Sequence, residues 1–238
     1  MLDFTRAIVI HSFPYSDSSI IAKTYCEKGG YTSFLAKGYK KGRKHKAALH
    51  PLAAVEISFN NRGRSGLIMA NKIDLYDPYS SLLFNPVKSG IAMFLAEWLS
   101  LTLREDKEGD PRFFSWLSKA IETLNELDNV ANFHLWFLIK LSDFLGISPQ
   151  GRQSVKNKYF HLKDGVFINS ENAECLNSTE SAMLDKILNG RLEDCLNLTL
   201  KKAERALLLS IIRQYYQLHL DSAMDLKTLE ILPQLFEE

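Results

Sequence analysis

Cysteine is scarce in this 238-residue chain: Cys26, Cys175 and Cys195 are the three, with no CxxC spacing among them. An odd, scattered set supports neither a disulfide framework nor a four-cysteine zinc site. Long apolar runs are missing as well, and nothing approaches the roughly 18 residues that a bilayer-spanning helix needs. The opening MLDFTRAIVIHSFPYSD has an acid where a secretory signal carries basic residues, and its apolar run is short. Nucleotide and hydrolase signatures are absent: GYKKGRK at 38–44 does not fit GxxxxGK[ST], and GxGxxG, HExxH and GxSxG do not occur. Together these absences leave a cytoplasmic, membrane-free protein as the expectation, with no cofactor, no metal and no catalytic residue.

Single titratable groups do not change that expectation. None of the six histidines pairs with another at i, i+3 or i+4. His134 lies inside an apolar stretch and reads as a core histidine rather than a ligand. Cys175, Cys195 and His161 are too far apart in sequence to form a metal set except by tertiary chance. The paired carboxylates Glu105-Asp106 and Glu193-Asp194 sit near helix ends, where solvation or the helix dipole explains them.

An excess of one charge is lacking only in sum. The formal net charge is +1, with 29 Lys+Arg against 28 Asp+Glu. Residues 1–80 hold 12 basic and 6 acidic side chains, a balance of +6; residues 81–238 hold 17 and 22, a balance of −5. Six of the cations, Lys37, Lys40, Lys41, Arg43, Lys44 and Lys46, fall within ten positions that contain no acid. The chain has a basic head and an acidic body.

The head reads as five short strands. FTRAIVIHS (4–12), SSIIAKTY (18–25), YTSFLAKG (31–38), AAVEISFN (53–60) and SGLIMANKID (65–74) are rich in β-branched and aromatic residues and roughly alternate. Glu27-Lys28-Gly29-Gly30 suits a tight hairpin whose turn needs positive φ. Five strands with one long basic connection after the third predict a closed OB-like barrel, although other small barrels share the pattern.

From residue 85 the period becomes helical. Asn85-Pro86 and Asp110-Pro111 are each a cap followed by a first-turn proline. Residues 132–145 are apolar on nearly every face and predict a buried helix. KYFHLKDGVFIN (158–169) carries Asp164-Gly165 at a hairpin turn, and helices are expected again near 179–189, 199–219 and 227–236. The expected fold class is therefore α+β: an OB-fold domain over 1–80, then a helical domain over 81–238 with a hairpin insertion at about 150–175.

The basic connection at 36–51 is the strongest local signal. Lysine and arginine drive nucleic-acid affinity by neutralising phosphates and releasing counterions. Single-strand binders add side chains on which bases stack. Lys37, Lys40, Lys41, Arg43, Lys44 and Lys46 are the candidate phosphate contacts, with Arg62 and Arg64 in the 61–64 turn as a second rim. Strand parity sets Tyr31 and Phe34 on opposite faces, so Tyr39 beside the loop is the preferred stacking candidate. Such a loop would serve DNA or RNA equally, so a translation-associated OB protein stands as the alternative. An enzyme of unrecognised chemistry and a protein-binding scaffold also stand.

HSFPYSDSSIIAKTYCEKGGYTSFLAKGYKKGRKHKAALHPL (11–52) resembles the amino-terminal barrel of the bacterial recombination mediators of the RecO family. The shared features are Tyr15-Ser16-Asp17, Ile20-Ile21, Lys28-Gly29-Gly30, Ala36-Lys37-Gly38, the basic stretch Lys40 to Lys46, and Leu49-His50-Pro51. FLAEWLSLTLREDKE (94–108) is similar to a family helix, with Glu97 and Leu99 in register, and residues 215–235 are similar to its closing segment. The resemblance implies an OB-fold and a helical body without catalysis. It also implies binding of single- and double-stranded DNA, strand annealing, and help for RecA on DNA coated by single-strand binding protein. Implied partners are RecR and the acidic, apolar tail of single-strand binding protein, for which Lys119 and Lys140 are candidate contacts. Many relatives carry a four-cysteine zinc site around the hairpin. Here Cys175 stands alone nearby, so the hairpin is expected to be held by apolar residues such as Tyr159, Val166 and Phe167.

Overall fold

The computed structural model describes residues 2–39, 47–60, 67–77, 79–103, 106–220, 225–230 and 232. Five strands, β1 (Leu2–Pro14), β2 (Ser19–Cys26), β3 (Gly30–Lys37), β4 (Ala54–Asn60) and β5 (Leu67–Asp77), close into a barrel in the order β1-β2-β3-β5-β4. All neighbours are antiparallel except β3 and β5, which run parallel. Closure leaves no unpaired strand edge. The expected OB-like barrel is the fold of the head.

Alternation decides what fills it. Ala7, Val9, Ala22, Phe34, Ala36, Val55, Ile57, Ala70 and Ile73 form one buried cluster. The alanines leave room for Phe34, which meets Phe59 edge-on at 5.4 Å between ring centroids. A small interior is filled by pairing small with large side chains in this way.

The register of β1 shifts between Val9 and His11, so Ile10 is an extra residue in a β-bulge. At the far end of β2, Gly29 (φ 99°) and Gly30 (φ 53°) turn the chain. This hairpin tip is pinned by the segment after the second helix. Tyr31 N donates to Asp106 O at 2.7 Å, Gly29 N donates to Glu108 O at 3.1 Å, and the Tyr25 hydroxyl donates to Asp106 Oδ2 at 2.7 Å. Burial and that carboxylate push the Tyr25 phenol far above its ordinary pKa, so it remains a donor.

Three helices follow: α1 (Ser80–Phe84), α2 (Pro86–Thr102) and α3 (Pro111–Glu126). Both predicted starts are present. Asn85 Oδ1 accepts from Val87 N and Lys88 N, and Asp110 Oδ1 accepts from Arg112 N. Lys88 is buried, its ammonium donating to Ser81 Oγ (2.9 Å) and to Asn125 O (2.7 Å).

By compactness the barrel groups with the three helices that follow it. One unit is Met1–Leu127 with Leu226–Leu235; the other is Asp128–Asp225 with Phe236–Glu238. The reason lies on the outside of the barrel. Tyr25 is buried against α3, meeting Phe113 edge-on at 4.9 Å, and the Tyr31 hydroxyl lies 3.2 Å from Ser100 Oγ on α2. These helices complete the barrel's packing. The short 3-10 turn Lys227–Glu230 joins the same unit, because the Glu97 carboxylate accepts from Lys227 N, Thr228 N and the Thr228 hydroxyl.

The second unit is built around α4 (Phe133–Phe144), whose Phe133, Leu135, Phe137, Leu138 and Leu141 are fully buried. Around it lie β6 (Tyr159–His161), β7 (Val166–Ile168), α5 (Ser178–Leu188), α6 (Leu192–Leu196) and α7 (Lys202–Leu220). Asn177 and Glu180 form a reciprocal capping box at the start of α5. The hairpin turns through Gly165 (φ 68°) as expected. Its anchors differ in part from expectation. Phe160, Leu162 and Phe167 are buried, whereas Tyr159 and Val166 are half-exposed. Pairing explains this, since Phe160 lies opposite Phe167 and shares its inner face, while Tyr159 and Val166 point the other way. His161 adds polar links, with Nδ1 at 3.0 Å from Asp164 Oδ2 and Nε2 at 3.2 Å from Glu174 Oε2. Among the described residues, no group of three or more His, Cys, Asp or Glu side chains is placed to hold a metal ion.

His134 is buried in this unit, and desolvation, with Arg205 adding, pushes its pKa from the ordinary 6.5 down to about 3. The unfolded chain takes up a proton below pH 6.5 that the folded state refuses. Stability is therefore complete above that pH and falls as pH drops towards about 3, by roughly 1.4 kcal/mol per unit. Urea midpoints are expected to hold from pH 7.5 to about 6.5 and to fall steadily from there to pH 5, and His134→Leu is expected to flatten that acid side of the curve. Equal slopes for the two proteins would remove His134 as the cause.

Candidate nucleic-acid interface

Parity and register give the outer surface of the barrel a definite composition. Phe13 on β1 pairs with Ile21 on β2, Ile21 with Leu35 on β3, and Leu35 with Met69 on β5. Residues that pair directly point to the same side, so these four form one row across four strands. With strands about 4.8 Å apart, the row is ~14 Å long. Inward residues alternate with it: Ala22, Phe34 and Ala36 belong to the core cluster. Phe13, Ile21 and Leu35 are half-exposed and Met69 is 39% exposed.

The neighbouring row is polar. His11 pairs with Lys23 and Lys23 with Ser33. His11 lies against Phe13 with ring centroids 5.6 Å apart, and the Lys23 ammonium sits 5.9 Å from the Phe13 ring centre. Desolvation and the Lys23 charge lower the pKa of His11, against a smaller opposing pull from Glu97. On the other side of the apolar row, Ser19 pairs with the exposed Lys37. A half-exposed apolar strip between cations can take flat, weakly hydrated rings along its centre and phosphates at its margins.

The predicted site residues fare differently. Lys37 is exposed on this outer face at the end of β3. Lys40, Lys41, Arg43, Lys44, Lys46, Arg62 and Arg64 lie outside the described residues. Tyr39 requires correction as a stacking platform. It is 6% exposed and belongs to the barrel core; its hydroxyl accepts from Ile73 N at 2.6 Å and donates to Ile73 O at 3.2 Å. Its ring face is spent on packing, and no base can lie on it while the barrel is closed.

Lys119 is exposed on α3 and pairs with Glu122 at 2.8 Å. It lines a cavity of about 440 Å³ with Arg6, Tyr76 and Phe114, but Glu27, Asp77 and Glu122 line it too. Lys140 is half-buried on α4 in the other compact unit, close enough to Cys195 to offset part of the burial-driven rise in that thiol's pKa.

The apolar row is what sequence reasoning missed. Its signal was present in part: the 27–30 hairpin fixes the pairing of Ile21 with Leu35, and parity then puts both outside. Phe13 was hidden by the bulge at Ile10, and Met69 by the parallel β3–β5 pairing, which barrel closure alone creates.

Comparison with known proteins agrees with this architecture. The family model described as Recombination protein O N terminal matches residues 1–79, and that described as Recombination protein O C terminal matches residues 83–230. The chain belongs to the RecO family. It is 33% identical over 242 residues to the DNA repair protein RecO of Azobacteroides pseudotrichonymphae, covering all of both chains. Against the DNA repair protein RecO of Bacteroides fragilis it is 33% identical over 243 residues, again covering both chains completely. The DNA repair protein RecO of Porphyromonas gingivalis is 32% identical over 246 residues, with the same complete coverage. Membership of the RecO family places the chain in DNA repair. Among its described residues, no helix is long and apolar enough to cross a membrane.

Proposed function

We propose that this RecO-family chain is a non-enzymatic recombination mediator, cytoplasmic and working at the nucleoid during repair. It binds single- and double-stranded DNA, anneals complementary strands, and helps RecA load onto DNA coated by single-strand binding protein. The observation that carries this reading is the outward row Phe13–Ile21–Leu35–Met69, flanked by Lys23 and Lys37 and followed in sequence by the 40–46 cations. Bases pack on the row; phosphates take the margins. Neutralising both backbones at once lowers the repulsion that keeps two strands apart. RecR and the acidic tail of single-strand binding protein are the proposed partners. Lys119 and Lys140 are the proposed contacts for that tail; at Lys119 the neighbouring carboxylates of Glu27, Asp77 and Glu122 work against it.

Annealing of complementary strands pre-coated with single-strand binding protein, without nucleotide, tests the function. Acceleration is expected on intact coating protein and its loss on tailless coating protein. No acceleration on either, or a preference for RNA over single-stranded DNA, would overturn the reading.

A charge placed in the row tests the surface. Leu35 is half-exposed and faces outwards, so Leu35→Glu is expected to leave the fold intact. A carboxylate among bound phosphates should weaken single-strand binding about tenfold. Unchanged affinity in a fluorescence-anisotropy titration would move the strand off this face.

A further inference from the structure

The β1 bulge does more than kink the strand. An extra residue lets two consecutive side chains leave the same side of the sheet, and here Ile10 and His11 both line a cavity on the outer surface. That cavity measures about 390 Å³ and lies between β1 and α2, with the 3-10 turn at its far end. Its walls are apolar: Ile10, Pro51, Ala96, Leu101 and Met93, the last 45% exposed. Polar groups mark its rim, namely His11, Ser100 and Lys227. Among the described residues the one rim carboxylate, Glu97, is already spent on capping the 3-10 turn.

His11 is the shared wall. One side belongs to the row beside Phe13 and Lys23, and the other opens on the cavity. We infer that this cavity is a subsite for one nucleobase turned out of the single strand lying on the barrel face. The inference rests on the single-strand reading above and adds to it where one base goes. The chemistry matches at three points. Apolar walls and the Met93 thioether suit an aromatic ring. Lys227 on the rim and Lys23, which pairs with His11 on the neighbouring strand, suit the phosphates on either side of the turned-out base. Burial and Lys23 favour a neutral His11, and a neutral imidazole offers one donor and one acceptor to a base edge. A base held there is out of the stack, which would interrupt stacking along the bound strand at one position.

The test uses the full chain and an oligonucleotide in which every thymidine is 4-thiothymidine, irradiated in the complex and mapped by mass spectrometry of crosslinked peptides. The expected result is a crosslink in the α2 peptide containing Met93, beside crosslinks on β2 and β3. Met93→Glu sets a carboxylate at the mouth at an exposed position and is expected to cut the α2 crosslink about tenfold. Ala96→Leu fills the floor and should do the same. Both should leave overall affinity within about threefold, because most phosphate contacts lie elsewhere. Binding with crosslinks on β2 and β3 but none on α2 would overturn the subsite alone. An α2 crosslink insensitive to both variants would also overturn it. Absence of single-strand binding by the wild type would overturn the reading beneath it.

Discussion

Changing Lys40, Lys41 and Lys44 together to Ala is expected to weaken single-strand binding about 100-fold at 0.1 M salt. Each phosphate contact on a single strand contributes ~0.7 to the salt exponent, or about fivefold in affinity at that concentration, and three contacts multiply. The same arithmetic makes the loss shrink towards nothing near 1 M salt, which separates lost phosphate contacts from damage to the barrel. Lys201→Ala with Lys202→Ala provides the comparison. These are also adjacent lysines, both exposed, but they belong to the second unit, and affinity should hold within about twofold if the head alone meets phosphate. Equal losses from the two variants would mean that the protein binds DNA through diffuse charge rather than through its head.

The largest stability effect is expected at Gly30. Its φ of +53° is one that L side chains adopt at a cost, and a Cβ there would lie 2.6 Å from Asp106 O and 2.8 Å from Gly109 N. Both contacts are backbone, so neither can swing aside. Relief requires the hairpin tip to part from the 106–110 segment, and the bonds from Tyr31 N and the Tyr25 hydroxyl to Asp106 go with it. Gly30→Ala is therefore expected to destabilise the first unit by about 3–5 kcal/mol. That lowers its melting temperature by ~10 °C or more. Gly38 supplies the internal comparison: its φ is +81°, yet a Cβ there would meet none of the described residues within 4 Å. Gly38→Ala should cost only about 1–2 kcal/mol, for the backbone conformation alone. Calorimetry giving the two variants the same loss would show that the contact with Asp106 contributes nothing.

Much of this molecule was legible before its structure. Five alternating segments and a paired-glycine turn predicted the barrel, because period 2 with small residues between large ones has few other uses. Asn85-Pro86 and Asp110-Pro111 predicted two helix starts, because a cap side chain and a fixed φ act locally. Asp164-Gly165 predicted the small hairpin for the same reason. The short helices Ser80–Phe84 and Leu192–Leu196 were not foreseen, since each is too brief to show a period.

The site was read less well than the fold. Charge can be counted along a chain, so the basic connection stood out at once. An aromatic's environment cannot be counted that way. Tyr39 follows a strand end and precedes a basic loop, which reads as exposure, but the chain folds its ring inwards to satisfy the backbone of Ile73 on β5. The outward row has the opposite history: Phe13 and Met69 lie 56 positions apart, and only a bulge and a parallel pairing align them. Features that depend on closure of the barrel were invisible to a reading that proceeds along the chain.

The proposed DNA interface on the basic head of this near-neutral protein neutralises a small number of phosphates. The dependence of single-strand affinity on salt tests it most directly. Four to six neutralised phosphates predict a slope of about −3 to −4 in log K against log salt, falling by about 2 when Lys40, Lys41 and Lys44 become Ala. A wild-type slope shallower than about −1, or one that the triple variant leaves unchanged, would mean that the head does not hold DNA through these phosphate contacts.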